Sequence, residues 1–101
     1  MTNTLERVTF RTLPNTNEAD LMAAVETSGN WIKAQPGFHY RTLIKTDDGW
    51  EDLAFWSDEA AAKAASETFM DAPENVDYIK LIDLNTVVMT YLPQKVSMAG
   101  T

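Results

Sequence analysis

The segment FHYRTLIKTDDGWEDLAFWS, residues 38–57, decides the fold because it holds two apolar runs on either side of an Asp-Gly pair. Asp48-Gly49 favours a two-residue turn, so the runs are predicted to form an antiparallel hairpin. That turn sets Lys45 opposite Asp52 as an ion pair between the strands. Large apolar or aromatic residues stand at alternating positions of both parities, so both faces of the hairpin are expected to be covered.

The segments on either side of the hairpin complete the order β-α-β-β-α-β. Alternating apolar residues predict strands at residues 5–13 and 82–92. One helix is predicted from an Asn17 cap to the QPGF turn, and an alanine-rich helix opens at Ser57 or Asp58. Right-handed crossovers then give an α+β fold of the ferredoxin-like type, a four-stranded antiparallel sheet with two helices on one face.

A short extra turn is predicted in PENVDYIKL, before the last strand. Its apolar residues Val76 and Ile79 are expected to face inward.

Alternation along the strands divides the sheet into a helix side and an opposite side. The residues that we assign to the helix side are Val8, Phe10, Phe38, Tyr40, Ile44, Leu53 and Phe55. Those assigned to the opposite side are Arg7, Arg11, His39, Arg41, Leu43, Lys45, Ala54, Trp56, Asp83, Val87, Met89 and Tyr91. The opposite set is too apolar in the third and fourth strands to face water. A second copy of the chain, packed sheet on sheet, is therefore expected to cover it.

Length and composition describe one domain, residues 1–101, with a core at about 5–92 and a C-terminal tail at 93–101. Fifteen acidic and eight basic residues give a net charge of −7, which argues against nucleic acid or an anionic membrane as a partner. The absence of cysteine excludes a thiolate metal site. No secretory leader is visible and no apolar run reaches the roughly 20 residues that span a bilayer, so a cytoplasmic location is expected.

Four motifs carry a resemblance to a known family: QPGF before the second strand, the DDGWEDLAFW hairpin, SDEAAAKAA at the second helix, and a final strand after LID. They resemble the dimeric α/β-barrel superfamily, and most closely its antibiotic-biosynthesis-monooxygenase-like (ABM) members, over roughly residues 5–92. The resemblance implies a homodimer whose two sheets close into a barrel. It also implies a range of activities, from cofactor-free oxidation of aromatic polyketides to heme degradation or no known reaction.

The resemblance to the heme-degrading members is incomplete. That branch uses an Asn on the first strand, a Trp at the end of the third strand and an iron-ligating His on the second helix. Trp56 matches the Trp position, but LERVTFRTL contains no Asn and DEAAAKAASETFMDA contains no His. Without the axial ligand, heme degradation is not expected, and we predict neither a cofactor nor a metal site.

His39 and Arg41 are the predicted catalytic residues. Histidine titrates near physiological pH, so His39, the single histidine, suits a general base. Its alternative role is a hydrogen bond within the sheet or the subunit interface. Arg41 suits the stabilisation of a phenolate or enolate. Its alternative role is to stack on Trp56 and pair with a carboxylate across the dimer.

Trp56, Tyr40 and Trp31 are the predicted substrate-binding residues. The hairpin register sets Arg41 beside Trp56, which together would form the floor of an aromatic pocket. Trp31, near the end of the first helix, and Tyr40 would line a cavity between the helices and the sheet. The alternative is that these aromatic side chains belong to the core.

Two functions follow from these observations. One is a cofactor-independent monooxygenase that acts on a small aromatic or quinone-like compound. The other is a non-catalytic homodimer that binds a small apolar ligand or a protein partner. The volume of a cavity between helices and sheet, and the presence of polar groups that converge inside it, distinguish these two functions.

Overall fold

The computed structural model describes residues 3–100 and confirms the ferredoxin-like α+β fold. Its elements in chain order are β1 (Thr4–Thr12), α1 (Glu18–Ile32), β2 (Phe38–Lys45), β3 (Trp50–Trp56), α2 (Glu59–Phe69), a 3-10 turn (Pro73–Asn75), α3 (Val76–Leu81) and β4 (Ile82–Pro93). The sheet is antiparallel with the strand order β2-β3-β1-β4. Within residues 3–100, no helix is long and apolar enough to cross a membrane.

Side-chain caps fix where the two main helices begin, as predicted. Asn17 Oδ1 accepts a hydrogen bond of 2.7 Å from the backbone N–H of Ala19. Asp58 Oδ1 accepts one of 2.8 Å from the backbone N–H of Ala61. Each bond satisfies a backbone donor that the first helical turn leaves free.

The QPGF segment follows α1 and forms the predicted turn, with Gly37 in the left-handed region. Its φ is 82°, and a Cβ at this position would lie 2.6 Å from Ser57 Oγ and 2.8 Å from Ala61 Cβ. The Gly37 carbonyl accepts a 2.8 Å hydrogen bond from the Ser57 N–H. The turn therefore holds the start of β2 close to the start of α2, where a side chain would not fit.

The hairpin loop is longer than predicted, so the predicted register is wrong by two residues. Four residues join the strands, and the Thr46 N–H donates a 2.8 Å hydrogen bond to the Gly49 carbonyl. The Gly49 N–H donates in turn to Thr46 Oγ1 at 3.0 Å. Lys45 consequently pairs with Trp50 and not with Asp52. The Thr46 hydroxyl stabilises the longer loop, because it accepts a local hydrogen bond from the Gly49 N–H in place of a bond between the strands.

A β-bulge at His39 changes the side that β2 residues face. Phe38 pairs with Trp56 and Tyr40 pairs with Phe55, so the register shifts at the residue between them. Directly opposed residues of an antiparallel pair share a face, which places Phe38 toward the helices and Tyr40 away from them. The prediction that put Tyr40 on the helix side is wrong because simple alternation contains no bulge.

The helix side of the sheet differs from the predicted one in three strands. Val8, Phe10 and Phe38 face the helices as predicted. The residues that also face the helices, against the prediction, are Arg41, Leu43, Lys45, Ala54, Trp56, Val87, Met89 and Tyr91. Those that face away, again against the prediction, are Tyr40, Ile44, Leu53 and Phe55. Both parities of β3 and β4 are apolar, so hydrophobicity alone does not select the side that faces the helices.

The side away from the helices, which we call the outer face, exposes a band of apolar side chains. Tyr40 is 60% exposed, Ile44 44%, Val88 59% and Leu92 44%. A large exposed apolar patch marks an interaction surface in soluble proteins. The sheet therefore has an apolar face on the side away from the helices, as expected, but the residues named here form it and not those assigned from the sequence.

Two clusters of buried side chains fill the space between sheet and helices. The first comprises Phe10, Leu21, Ala24, Tyr78 and Ile82. The second comprises Ile32, Ala54, Trp56, Ala62 and Ala65. The alanines of α2 bring that helix close to the sheet, as its composition predicts.

The predicted extra turn is a short helix, α3, with a different inward residue. Tyr78 is 2% exposed, whereas Val76 is 41% exposed and faces solvent. Ile79 is partly buried, as expected. The Tyr78 ring meets the rings of Phe10 and Phe69 edge to face, at centroid distances of 5.9 and 6.3 Å.

Residues 94–100 follow β4 without helix or strand. The Gln94 N–H donates a 2.8 Å hydrogen bond to the Asn3 carbonyl, which ties the start of this segment to the start of β1. Beyond it, Val96 and Met98 are 70% and 89% exposed.

Candidate functional site

A cavity of about 180 Å³ lies between the helix side of the sheet and the helices. Its wall is largely apolar and includes Val8, Ile32, Phe69, Ile79 and Ile82. Around its opening stand the exposed side chains of Met70, Leu84 and Met89. An apolar cavity of about 150 Å³ holds benzene, so this one has room for one aromatic ring or a small two-ring system.

Arg41, Asp52 and Tyr78 form a buried polar group in the cavity wall, which we call the Arg41 cluster. Arg41 donates to Asp52 through Nε at 2.9 Å and through Nη2 at 2.6 Å. The Tyr78 hydroxyl donates to the same carboxylate at 2.8 Å. Arg41 Nη1 donates to Ser28 Oγ at 3.2 Å, and its guanidinium lies 5.5 Å from the centre of the Tyr78 ring.

The protonation states in the Arg41 cluster are fixed by burial and by the ion pair. Burial and the charge of Asp52 raise the pKa of Tyr78 far above its usual value, so this residue stays a phenol. Burial disfavours the charge on Arg41, but hydrogen bonds and attraction from Asp52 outweigh it and raise the pKa of the guanidinium. The cluster supplies a fixed, partly compensated cation and no free base.

Glu6, Trp56, Ser66 and Tyr91 form a second polar group, which we call the Glu6 cluster. The Trp56 indole N–H donates to Glu6 Oε1 at 3.2 Å, and the Ser66 hydroxyl donates to Glu6 Oε2 at 2.8 Å. Ser66 Oγ is also 2.8 Å from the Tyr91 hydroxyl. The Tyr91 hydroxyl also lies 3.1 Å from Met89 Sδ. Neutral groups therefore hold the carboxylate in place.

Burial raises the pKa of Glu6, against the opposing effect of the hydrogen bonds from Ser66 and Trp56. The nearby Asp52 charge acts in the same direction as burial, and the Arg41 charge opposes it. A carboxylate whose pKa is raised binds a proton more tightly than one in water. Glu6 is therefore suited to accept a proton.

Strand pairing places the two clusters on either side of Ala54, because Glu6 on β1 and Arg41 on β2 are both paired with this residue. Asp52 and Trp56 are four residues apart on β3 and face the same side, with Ala54 between them. A strand rises about 3.3 Å per residue, so their backbones lie about 13 Å apart. Ala54 is 3% exposed and forms the floor between the clusters. A ligand that rests there contacts an apolar surface with polar groups on both sides.

Three of the five predicted site residues line this cavity. Arg41, Trp56 and Trp31 are in its wall. Trp56 does not stack on Arg41; it is 1% exposed, meets Phe38 edge to face at 5.4 Å, and donates to Glu6. The alternative role of Arg41 was an ion pair with a carboxylate across the dimer, but Arg41 instead pairs with Asp52 of the same chain.

The structure brings neither His39 nor Tyr40 to the cavity. Both side chains are exposed, His39 at the bulge of β2 and Tyr40 on the outer face. A catalytic role for His39 stays a prediction that this cavity does not support. Tyr40 was predicted to bind substrate from the helix side of the sheet, but the bulge turns its side chain away from the helices.

Sequence reasoning missed four polar residues of the cavity: Glu6, Asp52, Ser66 and Tyr78. Glu6 lies on the first strand, where the heme-degrading proteins have an Asn. Alternation places it on the same face as Val8 and Phe10, which was the signal that it points toward the helices. Tyr78 lay in a segment predicted as an extra turn with other residues inward. Among residues 3–100, no group of three or more His, Asp or Glu side chains forms a metal site.

Solved structures resemble this chain over nearly its whole length, although no protein-family model and no curated protein match its sequence. SnoaB, a cofactor-independent oxygenase from Streptomyces nogalater, is 16% identical with a TM-score of 0.76, over 99% of this chain and 100% of that one. The fold is that of the antibiotic-biosynthesis-monooxygenase-like proteins. This confirms the resemblance to the ABM-like fold that the sequence motifs indicate.

Two further structures show the same fold. A monooxygenase from the gene ActVA-Orf6 of Streptomyces coelicolor, in complex with Nanaomycin D, is 18% identical with a TM-score of 0.66, over 99% of this chain and 94% of that one. A dimeric ferredoxin-like protein of unknown function from Jannaschia sp. CCS1 is 12% identical with a TM-score of 0.65, over 89% of this chain and 97% of that one. At these identities the likeness establishes the fold, and a function requires evidence from the site itself.

Proposed function

We propose that this ABM-like protein is a cofactor-independent monooxygenase that acts on a small aromatic or quinone-like compound. The observation that carries the proposal is an apolar cavity with polar clusters on either side of Ala54 in its floor. Such a combination is typical of a site that binds and orients a small molecule. The fold shared with a cofactor-independent oxygenase and a monooxygenase supports the same reading.

The reaction needs no cofactor when the substrate supplies the electrons. For a phenol oxidised to a para-quinone, one atom of O₂ bonds to the ring carbon opposite the hydroxyl. The other atom leaves as water with the ring hydrogen and the hydroxyl hydrogen, so O₂ is reduced and the phenol is oxidised. The apolar wall excludes water from the reacting ring, and the same wall contains the Arg41 cation, which attracts an anionic substrate.

Oxygen uptake tests the proposal. The panel comprises one-ring phenols with a free para position, naphthols and three-ring anthrones, without added metal or flavin. We expect uptake above the enzyme-free rate for the smaller compounds, since the cavity has about 180 Å³. Uptake indistinguishable from the enzyme-free rate for every compound would overturn the proposed activity.

Two alanines of α2 give a matched test of where the substrate binds. Ala65 is 6% exposed and lines the cavity, whereas Ala64 is exposed on the same helix. Ala65→Leu is expected to lower kcat/KM at least tenfold by filling the cavity, and Ala64→Leu to leave it within twofold. Equal effects of the two variants would place the reaction elsewhere.

A non-catalytic ligand-binding domain is the alternative function. The saturation of Asp52 by three hydrogen bonds favours it, because that carboxylate is already committed to holding the cavity wall together. In this case a small aromatic ligand raises the melting temperature without oxygen uptake. Uptake of oxygen with the same ligand would exclude it.

We further propose that a second copy of the chain covers the outer face. Its apolar band, with Tyr40, Ile44 and Val88 exposed by 44% or more, has the character of an interface. The structural resemblance to a dimeric ferredoxin-like protein supports this occupant. A homodimer of this kind, in the cytoplasm, is the state in which we expect the protein to act.

A further inference from the structure

Glu6 differs from the other carboxylate of the cavity in what holds it. Asp52 is paired with Arg41 and accepts from Tyr78. Among residues 3–100, by contrast, no Lys, Arg or His nitrogen lies within the 4.0 Å of a salt bridge to Glu6. Two neutral donors, from Trp56 and Ser66, orient its oxygens. A carboxylate has about four acceptor positions, so Glu6 retains capacity for a proton or a ligand hydroxyl.

A chain of hydroxyl groups leads from Glu6 toward the surface. Ser66 Oγ lies 2.8 Å from Glu6 Oε2 and 2.8 Å from the Tyr91 hydroxyl. Tyr91 is half-buried, and the exposed ammonium of Lys63 lies 5.6 Å from the centre of its ring. Hydroxyl groups rotate and both donate and accept, so this row of atoms is competent to pass a proton in either direction.

We propose that Glu6 is the general base of the cavity, that it takes the hydroxyl proton of a bound phenol or enol, and that Ser66 and Tyr91 pass this proton to solvent. The inference rests on the proposed function and narrows its substrate class to compounds with an acidic hydroxyl. It also assigns the role of the base to Glu6 on β1, whereas the sequence analysis predicted His39 on β2 for that role.

The transfer is balanced without another reagent. The substrate O–H bond breaks and a Glu6 O–H bond forms, while the oxygen of the substrate keeps the electron pair as a phenolate. Glu6 then donates this proton to Ser66 Oγ as the Ser66 proton moves to the Tyr91 hydroxyl and the Tyr91 proton moves to water. The carboxylate is restored, and the phenolate lies in a cavity whose wall contains Arg41.

The other titratable groups of the cavity are poorly suited to this role. The hydroxyl of Tyr78 donates to Asp52, and burial keeps it protonated. Asp52 accepts three hydrogen bonds and balances the charge of Arg41. His39 lies outside the cavity wall. Glu6 is thus the cavity group with both a free acceptor position and a route for the proton.

The ionisation of bound 4-nitrophenol tests the assignment without turnover. At a pH where free 4-nitrophenol is mostly neutral, we expect the wild-type protein to bind it with the absorption band of the phenolate. Glu6→Gln, which keeps the size of the side chain, is expected to lower the bound phenolate at least tenfold. The control Glu67→Gln removes an exposed carboxylate from α2 and is expected to leave the amount of bound phenolate unchanged.

The relay has its own readout in the rate of proton release. With a pH indicator in stopped flow, Ser66→Ala and Tyr91→Phe are expected to slow release at least fivefold while the final amount of phenolate stays within twofold. Release at the wild-type rate in both variants would overturn the relay.

The outcomes separate this inference from the proposed function. A phenolate band in Glu6→Gln equal to that of the wild type overturns Glu6 as the base, even if oxygen is consumed. Loss of the band in Glu6→Gln without oxygen uptake by the wild type supports Glu6 and overturns the monooxygenase. A wild-type protein that binds no phenol, or binds it only in neutral form, overturns the assigned substrate class.

Discussion

Arg41 and Asp52 meet in two parallel hydrogen bonds inside the protein, with Nη2 2.6 Å from Oδ2 and Nε 2.9 Å from Oδ1. They lie on neighbouring strands but diagonally, since Arg41 is paired with Ala54 in the ladder. Their side chains are 9% and 12% exposed. The pair therefore combines fixed geometry with removal from water, and each charge is balanced by the other.

Removal of Asp52 is expected to destabilise the fold strongly. Asp52→Ala leaves the Arg41 guanidinium buried without a counter-charge and the Tyr78 hydroxyl without its acceptor. Breaking a buried ion pair in this way costs about 3–5 kcal/mol, which urea denaturation measures. Glu51→Ala is the matched control, because it removes an acidic partner of Arg7 on the outer face and is expected to have a much smaller effect.

A double variant then separates the cost of the broken pair from the contribution of the pair itself. Replacing both charged residues, as Arg41→Met with Asp52→Leu, is expected to recover most of the lost stability, since no buried charge remains. If Asp52→Ala has no larger effect than Glu51→Ala, the pair does not stabilise the cavity wall.

Two glycines are expected to respond to alanine in opposite directions. Gly37 has a φ of 82°, and an added Cβ would lie 2.6 Å from Ser57 Oγ, so Gly37→Ala is expected to lower the unfolding free energy by about 1–2 kcal/mol or more. Gly29 lies within α1, and no atom outside its chain neighbours and the helix backbone lies within 4 Å of an added Cβ. Gly29→Ala is therefore expected to raise the unfolding free energy by about 0.5–1 kcal/mol. Thermal and urea unfolding measure both. A stabilising Gly37→Ala would show that the turn adopts another conformation.

The features predicted correctly from sequence are those that depend on neighbouring residues. The Asn17 cap bonds to a backbone group two residues away, and the Gly37 turn is encoded by the QPGF segment. Element order and the ferredoxin-like topology follow from these local elements and from general rules of connection.

The features that sequence reasoning missed depend on a bulge or on distant partners. One unpaired position at His39 reverses the face of every later residue in β2. The apolar residues of the outer face have the same sequence pattern as buried core residues. The pattern therefore does not show which alternate set of residues in a strand faces the helices. Glu6 acquires its environment from Ser66, 60 residues away, and from Trp56, 50 residues away. Those contacts exist only after the sheet and α2 have assembled.

A charge on the outer face is expected to prevent association. Val88 is 59% exposed on the outer face, so Val88→Glu should cause little strain in one chain but set a buried charge in a sheet-to-sheet dimer. Val76→Glu is the matched control, because Val76 is 41% exposed at the start of α3 on the helix side. We expect sedimentation velocity to show a dimer for the wild type and for Val76→Glu, and a folded monomer for Val88→Glu. A folded wild-type monomer at micromolar concentration would contradict the proposed interface.

The raised pKa of Glu6 predicts how its replacement changes stability with pH. Burial raises the pKa above the usual 4.5, with Asp52 adding to the shift and Arg41, Ser66 and Trp56 opposing it. Between the pKa of the unfolded chain and that of the folded protein, the folded state holds more protons. Its stability therefore falls as pH rises through this window. Glu6→Gln lacks this ionisation.

The melting temperature of Glu6→Gln relative to the wild type is therefore expected to increase as pH rises from about 4 toward 7. Glu67→Gln, at an exposed position on α2, provides the baseline for the loss of one carboxylate. A relative stability that instead decreases over this range would show that the hydrogen bonds from Ser66 and Trp56 outweigh burial. The carboxylate would then be a weaker base than its position in the cavity implies, because the folded protein would favour its ionised form.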